Sequence, residues 1–308
     1  MNSLIRLIPP GLVRLFAKPY VAGDSLERAL DVAASLWHER RLLTTLDLLA
    51  EDIDSTSQVE GNIATYCDMI DRVAQDSRFA DITCQPTISL KLSSYTTAPL
   101  EEGGDAAGSR EAALHIAAYA KERGVRLTID MEGHPWTDFT LETLAELHAA
   151  GHHHVGGVMQ SRLLRSPKDI EQLPPKMRMR LVIGIYDEPQ SIALTDKEKM
   201  KEQLLVLAER LLRRGHYVEF GSHDTLWVRR FVNEVVPRCG VGVDRFEVQM
   251  LYGVPRDALV RELQSAGIKV RLYVPFALSW SMAIAYLRRR LDEYPAMMFL
   301  VAKNLFDK

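Results

Sequence analysis

The stretch AALHIAAYAKERGVRLTIDM, residues 112–131, contains a helix and the strand that follows it. Residues 112–123 have the apolar spacing of a helix that packs on one face, and residues 125–131 form an apolar run of strand length. Asp130 is the next-to-last residue of this run, so a charged group lies where the strand leaves the core. A helix followed by a buried strand is the repeating unit of α/β folds.

The same alternation extends toward both ends of the chain. A helix capped near Asp24 runs to about residue 40, and further helices are predicted up to residue 73 and at 112–123, 141–150, 196–213, 226–236 and 256–266. Eight strands are predicted at 42–49, 87–92, 125–131, 155–159, 179–185, 217–220, 246–250 and 270–273. Eight strand-helix units in about 260 residues predict an α/β fold, a (β/α)8 TIM-like barrel with an N-terminal helical segment.

An open, doubly wound sheet is the alternative architecture. No Gly-x-Gly-x-x-Gly turn follows a predicted strand, so the dinucleotide-binding fingerprint of that fold is absent from the sequence. No linker rich in proline or serine divides the chain, and residues 96–109 are predicted to form a surface loop. We therefore predict one domain over residues 1–308, with the helical segment at 1–40 and the barrel at 41–308.

The composition argues against several classes of protein. The 308 residues are 47% hydrophobic and 26% charged with a net charge of −3, so the clustered Lys and Arg of nucleic-acid binding proteins are missing. Cys67, Cys84 and Cys239 are odd in number and lack metal-ligand spacing, which favours a reduced cytoplasmic protein without a metal site. No apolar run has transmembrane length. Residues 4–16 also fit a short amphipathic segment that contacts the inner face of a membrane.

Polar residues follow the predicted strands, at the end where barrel enzymes place their chemistry. Lys91, Asp130 and Arg180 are the clearest cases, because a charge within or just after an apolar strand is costly unless it meets a partner. Each of the three alone is equally well explained by an internal structural ion pair. Since all eight strands end in this way, we expect a functional site at that end of the barrel.

The segment AYLRRRLDE, residues 285–293, carries a second cluster. Tyr286, Arg289 and Arg290 are spaced i, i+3 and i+4, which places a phenol and two guanidiniums on one side of a helical turn. Two guanidiniums match the geometry of a small carboxylate, and the aromatic ring can cover its apolar part. A solvent-exposed basic helix face is the alternative.

Two histidine-containing stretches have structural explanations. The side chains of His152, His153 and His154 are adjacent in sequence and point in different directions, so a loop is favoured over a metal site. Ser222, His223 and Asp224 are also neighbours, and neighbours cannot form a hydrolase triad. No Gly-x-Ser-x-Gly elbow is present either.

The motifs, taken in order, resemble those of the proline dehydrogenase family of flavin-dependent barrels. They are YVAGD (20–24), LAE (49–51), LKL (90–92), DME (130–132), QSRL (160–163), RLVIGIY (180–186), SHD (222–224), QMLYG (249–253), VRLYVP (270–275), and Tyr286 with RRL (289–291). The ordered set, rather than any single motif, is specific. The resemblance implies a barrel whose last helix lies over the barrel mouth.

The resemblance also implies a role for each matching residue. Arg289 and Arg290 match the pair that binds the proline carboxylate, and Lys91 matches a lysine that assists them. Glu51 matches the acid that pairs with the first arginine. The wall around the proline ring is matched by Leu251, Tyr273 and Tyr286. Polar groups beside the reacting centre and the flavin are matched by Asp130 and Arg180. Contacts to FAD are matched by Met131, Gln160, Ile183, Gly184, Ile185, Tyr186, Ser222 and His223.

The implied activity is oxidation of L-proline to Δ1-pyrroline-5-carboxylate by a monofunctional enzyme that holds FAD and passes electrons to a quinone. Ile183 departs from the family, which usually has lysine there, and so removes a positive charge beside the cofactor. Two alternatives remain at this point: the same chemistry on another cyclic amino acid, such as hydroxyproline or pipecolate, or a non-catalytic relative that binds a ligand. The sequence leaves the oligomeric state open.

Overall fold

The computed structural model describes residues 19–49, 53–281 and 283–284. Eight parallel strands form a closed barrel in chain order: β1 Leu43–Leu48, β2 Thr87–Leu90, β3 Leu127–Ile129, β4 Val155–Gln160, β5 Arg178–Val182, β6 Tyr217–Gly221, β7 Phe246–Leu251 and β8 Val270–Phe276. The barrel closes where β8 pairs with β1, with Leu43 opposite Arg271 and Leu48 opposite Phe276. All eight predicted strands are present, so the predicted (β/α)8 barrel is confirmed.

The helices of the described residues surround this barrel. They are α1 Leu26–Arg40, α2 Thr56–Gln75, α3 Ala106–Glu122, α4 Thr137–Ala149, α5 Ser166–Gln172, α6 Lys197–Arg213, α7 Thr225–Arg230, α8 Val236–Cys239 and α9 Asp257–Ser265. Helix α5 was not predicted. Helix α3 begins inside the predicted 96–109 loop, which was therefore predicted too long. Its early start has a local cause, because the Asp105 side chain caps it by accepting the Gly108 N–H over 2.9 Å.

The main core lies between the strands and the surrounding helices. Side chains alternate across each strand, so that in β5 Met179 and Leu181 are buried toward the helices while Arg178 and Arg180 face the barrel interior. In the outer core, the rings of Phe220 and Phe231 stack with their centroids 4.2 Å apart. The same alternation therefore builds the core on one face and delivers charged groups to the other.

Ion pairs fill the barrel interior near the N-terminal ends of the strands. Arg271 Nε lies 2.5 Å from Glu247 Oε1, and Arg178 Nη1 lies 2.6 Å from Glu219 Oε1. A second guanidinium nitrogen of Arg271 donates to the Thr44 carbonyl over 2.7 Å. Buried charges of this kind are tolerated only when they are paired and hydrogen-bonded. Buried ion pairs therefore occupy the part of the barrel interior that lies away from the C-terminal ends of the strands.

Part of the predicted architecture falls outside the described residues. The residues concerned are 1–18 of the N-terminal segment and the final helix that the family resemblance places over the barrel mouth. Within the described ranges, helix α1 of the N-terminal segment is present as predicted, and Ser25 is its N-cap. None of the helices described has both the length and the apolar character needed to cross a bilayer.

Candidate active site

A buried ion pair joins two of the predicted site residues. Asp130 follows β3 and Arg180 lies on β5, and Arg180 Nη1 is 2.7 Å from Asp130 Oδ1. Ser89 on β2 bridges them, because its hydroxyl donates to Asp130 Oδ1 over 3.1 Å and accepts from Arg180 Nη1 over 3.1 Å. Burial alone would lower the pKa of Arg180, but the charges of Asp130 and Glu219 raise it. Arg180 therefore remains a cation inside the barrel.

Lys91 lies between two carboxylates at the same end of the barrel. Its Nζ is 2.5 Å from Asp47 Oδ1 and 3.5 Å from Asp130 Oδ2. Burial raises the pKa of Asp47, and the charge of Lys91 offsets part of that rise. Asp47 was not among the predicted site residues. The available signal was an acidic residue inside the apolar run at 42–49, at a position that the barrel turns toward its interior.

Tyr273 on β8 completes this group. Its hydroxyl donates to Asp130 Oδ2 over 2.7 Å, and its ring centroid lies 4.9 Å from the guanidinium carbon of Arg180. Burial and then the charge of Asp130 raise the pKa of Tyr273 well above the usual value for tyrosine, so the phenol stays protonated. Lys91 and Asp130, which follow β2 and β3, are thus brought together with Arg180 on β5 and Tyr273 on β8.

Arg180 also contacts polar side chains on β6 and β7. Its Nε donates to Gln249 Oε1 over 2.8 Å, and the Gln249 amide nitrogen donates to Glu247 Oε1 over 2.7 Å. Glu219 Oε2 lies 3.8 Å from Arg180 Nε. Burial alone would raise the pKa of Glu219, but the guanidiniums of Arg178, Arg180 and Arg271 lower it to about 2. The ion pairs near the N-terminal ends of the strands and the residues of the site therefore form one continuous network of charged and hydrogen-bonded groups.

A second group of predicted residues surrounds the loop that follows β5. The Gln160 side-chain nitrogen donates to the Glu132 carbonyl over 2.8 Å, which points the amide oxygen at Gly184. Gly184 has φ +98°, and a Cβ built there would lie 2.2 Å from Gln160 Oε1. Only glycine fits this backbone conformation and this approach. Met131, the residue before Glu132, is buried. Ile185 is 48% exposed, and Ile183 and Tyr186 are partly buried.

The buried polar atoms of this region that have no hydrogen-bond partner within the described ranges include Gln160 Oε1, Arg180 Nη2 and His223 Nδ1. The Leu251 N–H donates to His223 Nε2 over 3.1 Å, so the ring proton sits on Nδ1. Burial lowers the pKa of His223 to about 4, which keeps the ring neutral. One acceptor and two donors are thus left for a polar ligand, since unsatisfied buried groups are otherwise destabilising.

The remaining predicted residues are placed as follows. Leu251 ends β7 and is partly buried, and Ser222 follows β6 with its hydroxyl accepting the Asp224 N–H over 3.2 Å. Asp224 caps α7 by accepting the Leu226 N–H, so it does not serve His223 as a triad acid would. Glu51, Tyr286, Arg289 and Arg290 lie outside the described residues.

Histidines in the last turn of α4 and in the segment after it lie close to backbone carbonyls. His154 Nε2 lies 3.0 Å from the Ala117 carbonyl, and His148 Nε2 lies 2.8 Å from the Val155 carbonyl. Across residues 19–49, 53–281 and 283–284, no group of three or more His, Cys, Asp or Glu side chains has the arrangement of a metal site. These histidines are therefore part of the packing between α3, α4 and β4.

Comparison with known proteins gives a consistent result. A family model described as proline dehydrogenase matches residues 29–299. The chain is 35% identical to a proline dehydrogenase of Deinococcus radiodurans, covering 94% of this chain and 89% of that protein. It is 32% identical to proline dehydrogenase 1 of Bacillus subtilis strain 168, covering 96% of this chain and 92% of that protein.

Solved structures with a similar fold include proline utilization A from Bdellovibrio bacteriovorus, inactivated by N-propargylglycine, with a TM-score of 0.77 and 21% identity. The match covers 90% of this chain and 32% of that one, so this chain spans about a third of its length. At this identity the match concerns the fold alone. The family model and the relatives above 30% identity show that the chain belongs to the proline dehydrogenase family.

Proposed function

We propose that this protein oxidises L-proline to Δ1-pyrroline-5-carboxylate, with FAD as its cofactor. Family membership supports an oxidoreductase that acts on proline in proline catabolism. The observation that carries the proposal is the cluster at the barrel mouth, where the cation of Lys91 and the anion of Asp130 lie 3.5 Å apart. A zwitterion such as proline needs one group of each sign within the length of a small molecule.

The free polar atoms of the second group support a bound flavin. Gln160 Oε1 supplies an acceptor, and Arg180 Nη2 and His223 Nδ1 supply donors, a combination that suits the mixed edge of a heterocycle. When bound, FAD supplies the acceptor for the two electrons that leave the substrate as hydride. Among the predicted contacts we assign Gly184 a steric role, because its missing Cβ lets the loop after β5 approach Gln160.

The side chains of the site have different roles in the oxidation of proline. The ring carbon beside nitrogen loses a hydride and the nitrogen loses its proton, so a C=N bond forms. Lys91, with Arg289 and Arg290, holds the carboxylate and thereby fixes which carbon faces the acceptor. Asp130 holds the ammonium and takes its proton, which frees the nitrogen lone pair. Tyr273, with Leu251 and Tyr286, encloses the ring.

Arg180 contributes a fixed positive charge beside the reaction. It is buried, remains a cation and has one free donor, Nη2. A buried, preorganised cation stabilises negative charge that develops nearby more strongly than water does. Glu51 is proposed to pair with Arg289, as the family resemblance implies, and so to close the site over the substrate.

Three further proposals extend beyond the site. Electrons leave the reduced cofactor for a quinone, since the family resemblance implies that acceptor. Residues 4–16 contact the inner face of a membrane peripherally, because their apolar and basic residues fit an interfacial segment. Residues 1–308 act as one domain, a view supported by the closed barrel.

The test is an anaerobic titration of the purified protein. We expect flavin absorption that bleaches when L-proline is added and returns with an added quinone. Glycine serves as a control, since it has the same two charged groups but no ring to oxidise. A flavin spectrum that proline leaves unchanged would contradict the proposed activity, and bleaching by pipecolate or hydroxyproline alone would favour those substrates.

A further inference from the structure

Arg162 is a partly buried arginine that follows β4 and lies beside the loop after β5. Its Nε is buried and has no hydrogen-bond partner within residues 19–49, 53–281 and 283–284, and no carboxylate in those ranges pairs with its guanidinium. Arg165 shows the contrast, because it pairs with both Asp138 and Asp169. Partly burying a cation without a partner is costly unless a ligand supplies the missing acceptor.

The backbone fixes the position from which this side chain extends. The Arg162 N–H donates to the Ile183 carbonyl over 3.0 Å, and the Leu194 N–H donates to the Arg162 carbonyl over 2.8 Å. The aliphatic stem then lies against Gly184, since a Cβ built on that glycine would lie 3.2 Å from Arg162 Cδ. The same Cβ would lie 2.2 Å from Gln160 Oε1. The Arg162 side chain and the Gln160 amide oxygen therefore flank one backbone position.

A donor and an acceptor thus lie beside the same glycine without bonding to each other. Gln160 Oε1 and Arg162 Nε both lack a partner in the part of the chain that the structure describes. The Gln160 amide is held by the Glu132 carbonyl, so its oxygen is fixed in place. This pair of unsatisfied groups indicates a ligand that offers a donor to Gln160 and an acceptor to Arg162. A flavin dinucleotide offers both, because its ring carries an N–H and its diphosphate carries negative charge.

We propose that Arg162 is a cofactor-binding residue that pairs with the diphosphate of FAD. The inference rests on the proposed function, which supplies the cofactor. The oxidised flavin ring is neutral, so the diphosphate is the anion that FAD brings to the protein, and a planar guanidinium can bind two phosphate oxygens at once. Arg180, the other buried cation of this region, is already paired with Asp130. Ile183 supplies no charge, because its apolar side chain packs against the main core.

The substitution Arg162→Met tests the pairing, because methionine keeps much of the stem against Gly184 and removes the charge. We expect the apoprotein to bind FAD about tenfold more weakly, as for the loss of a hydrogen bond to a charged group. Arg162→Lys should lose less, because an ammonium keeps the charge without the two-pronged geometry. Fluorescence titration of the apoprotein with FAD measures both effects, and Arg261→Met, on the outer helix α9, is the matched control. Equal FAD affinities in Arg162→Met and the unsubstituted protein would overturn the inference.

Salt dependence separates a contact with the diphosphate from general damage to the fold. Raising NaCl from about 0.05 M to about 0.5 M screens an ion pair that solvent can reach. It should therefore weaken FAD binding to the unsubstituted protein more than FAD binding to Arg162→Met. Parallel salt dependences would overturn the inference, because affinity lost through a damaged fold does not depend on the charge of Arg162.

The reduction potential decides whether Arg162 contacts the diphosphate or the flavin ring. A cation beside the ring favours the reduced flavin, which carries more negative charge, so its removal would lower the potential. We expect Arg162→Met to have the potential of the unsubstituted protein, measured against a reference dye during reduction with dithionite. A lower potential would overturn the assignment to the diphosphate.

None of these measurements needs turnover of proline. Absence of proline oxidation would therefore count against the proposed activity and leave the role of Arg162 standing. A protein that takes up no FAD would contradict the proposed cofactor and this inference together, whereas equal FAD affinities would overturn this inference alone.

Discussion

The hydroxyl of Tyr273 donates a 2.7 Å hydrogen bond to Asp130 Oδ2, which joins the middle of β8 to the residue that follows β3. The ring of Tyr273 lies over Arg180, whose guanidinium bonds the other oxygen of the same carboxylate. The aromatic ring is therefore fixed by both members of the buried ion pair. A ring held in this way has little freedom to move aside for a larger substrate.

The first prediction concerns substrate choice. The family resemblance places Tyr273 against the ring carbon that bears the hydroxyl in trans-4-hydroxyproline. An extra oxygen there either clashes with the ring or is buried without a partner, at a cost of about 1–3 kcal/mol. We expect kcat/KM for proline to exceed that for trans-4-hydroxyproline by about tenfold or more. Tyr273→Ser should narrow the gap, mainly by losing activity on proline.

Tyr273→Phe is the control for this prediction. Phenylalanine keeps the ring and removes only the hydroxyl that bonds Asp130, so the preference for proline should persist. Steady-state kinetics on both substrates with the unsubstituted protein and the two variants decide the matter. Equal efficiencies in the unsubstituted protein, or a preference that Tyr273→Ser leaves intact, would show that this tyrosine does not set specificity.

The second prediction concerns the cofactor. We expect the purified protein to hold FAD noncovalently despite Ile183, because the acceptor and the two donors of the second group are in place. Heat or acid denaturation should release all of the flavin into the supernatant, where its absorption is measured. Ile183→Lys should retain the cofactor at least as well, because it restores a positive charge. A colourless protein that takes up no FAD on titration would contradict the prediction.

The third prediction isolates one of those donors. Because burial lowers the pKa of His223 to about 4, the ring stays neutral from pH 5 to 8 and Nδ1 keeps its proton. His223→Leu removes that donor and should weaken FAD binding about tenfold, as expected for one hydrogen bond to a charged or strongly polar group. Fluorescence titration of the apoprotein measures the effect. His115→Leu, at a surface position between α2 and α3, serves as the control, and equal affinities in the two variants would refute the assignment.

The fold was largely predictable because several strands alternate between apolar and polar residues. In β5 and β7 every second residue is apolar and packs on the helices, so the strands are visible in sequence even though charged residues interrupt them. Helix α5 was missed because seven residues are too few to display a helical period, and Pro167 at its start looks like a break. Local chemistry, rather than periodicity, determines such short elements.

Part of the site was predictable because a charge within or just after an apolar strand is costly unless it meets a partner. Lys91, Asp130 and Arg180 were found by that rule. Asp47 was missed, and so was the pairing of Glu247 with Arg271. These contacts depend on which residues of neighbouring strands lie opposite each other in the barrel interior. Strand register and closure are tertiary properties that a linear pattern does not contain.

The fourth prediction concerns the carboxylate clamp. Arg289→Lys and Arg290→Lys should each lower kcat/KM for proline by about tenfold or more, because an ammonium cannot reproduce the two-pronged guanidinium geometry. The fold and the FAD spectrum should be retained. Arg261→Lys, on the outer helix α9, is the matched control with the same chemical change. Unchanged kinetics in both clamp variants would favour a solvent-exposed basic helix face.

The last prediction concerns stability in acid. Burial lowers the pKa of His154 from 6.5 to about 4, and it lowers the pKa of His148 and His216 in the same direction. The unfolded chain therefore binds more protons than the folded protein between pH 6.5 and 4, and the free energy of unfolding falls as the pH decreases through that window. Above pH 6.5 these histidines are neutral in both states and contribute no slope.

Urea unfolding at pH 7.5, 6.5, 5.5 and 4.5 measures this loss. His154→Gln should flatten the slope below pH 6.5, because glutamine can still donate to the Ala117 carbonyl but takes up no proton. Carboxylates that protonate in the same range affect the variant and the unsubstituted protein equally, so the difference between the two curves belongs to His154. Parallel curves would mean that His154 is as accessible to protons in the folded protein as in the unfolded chain.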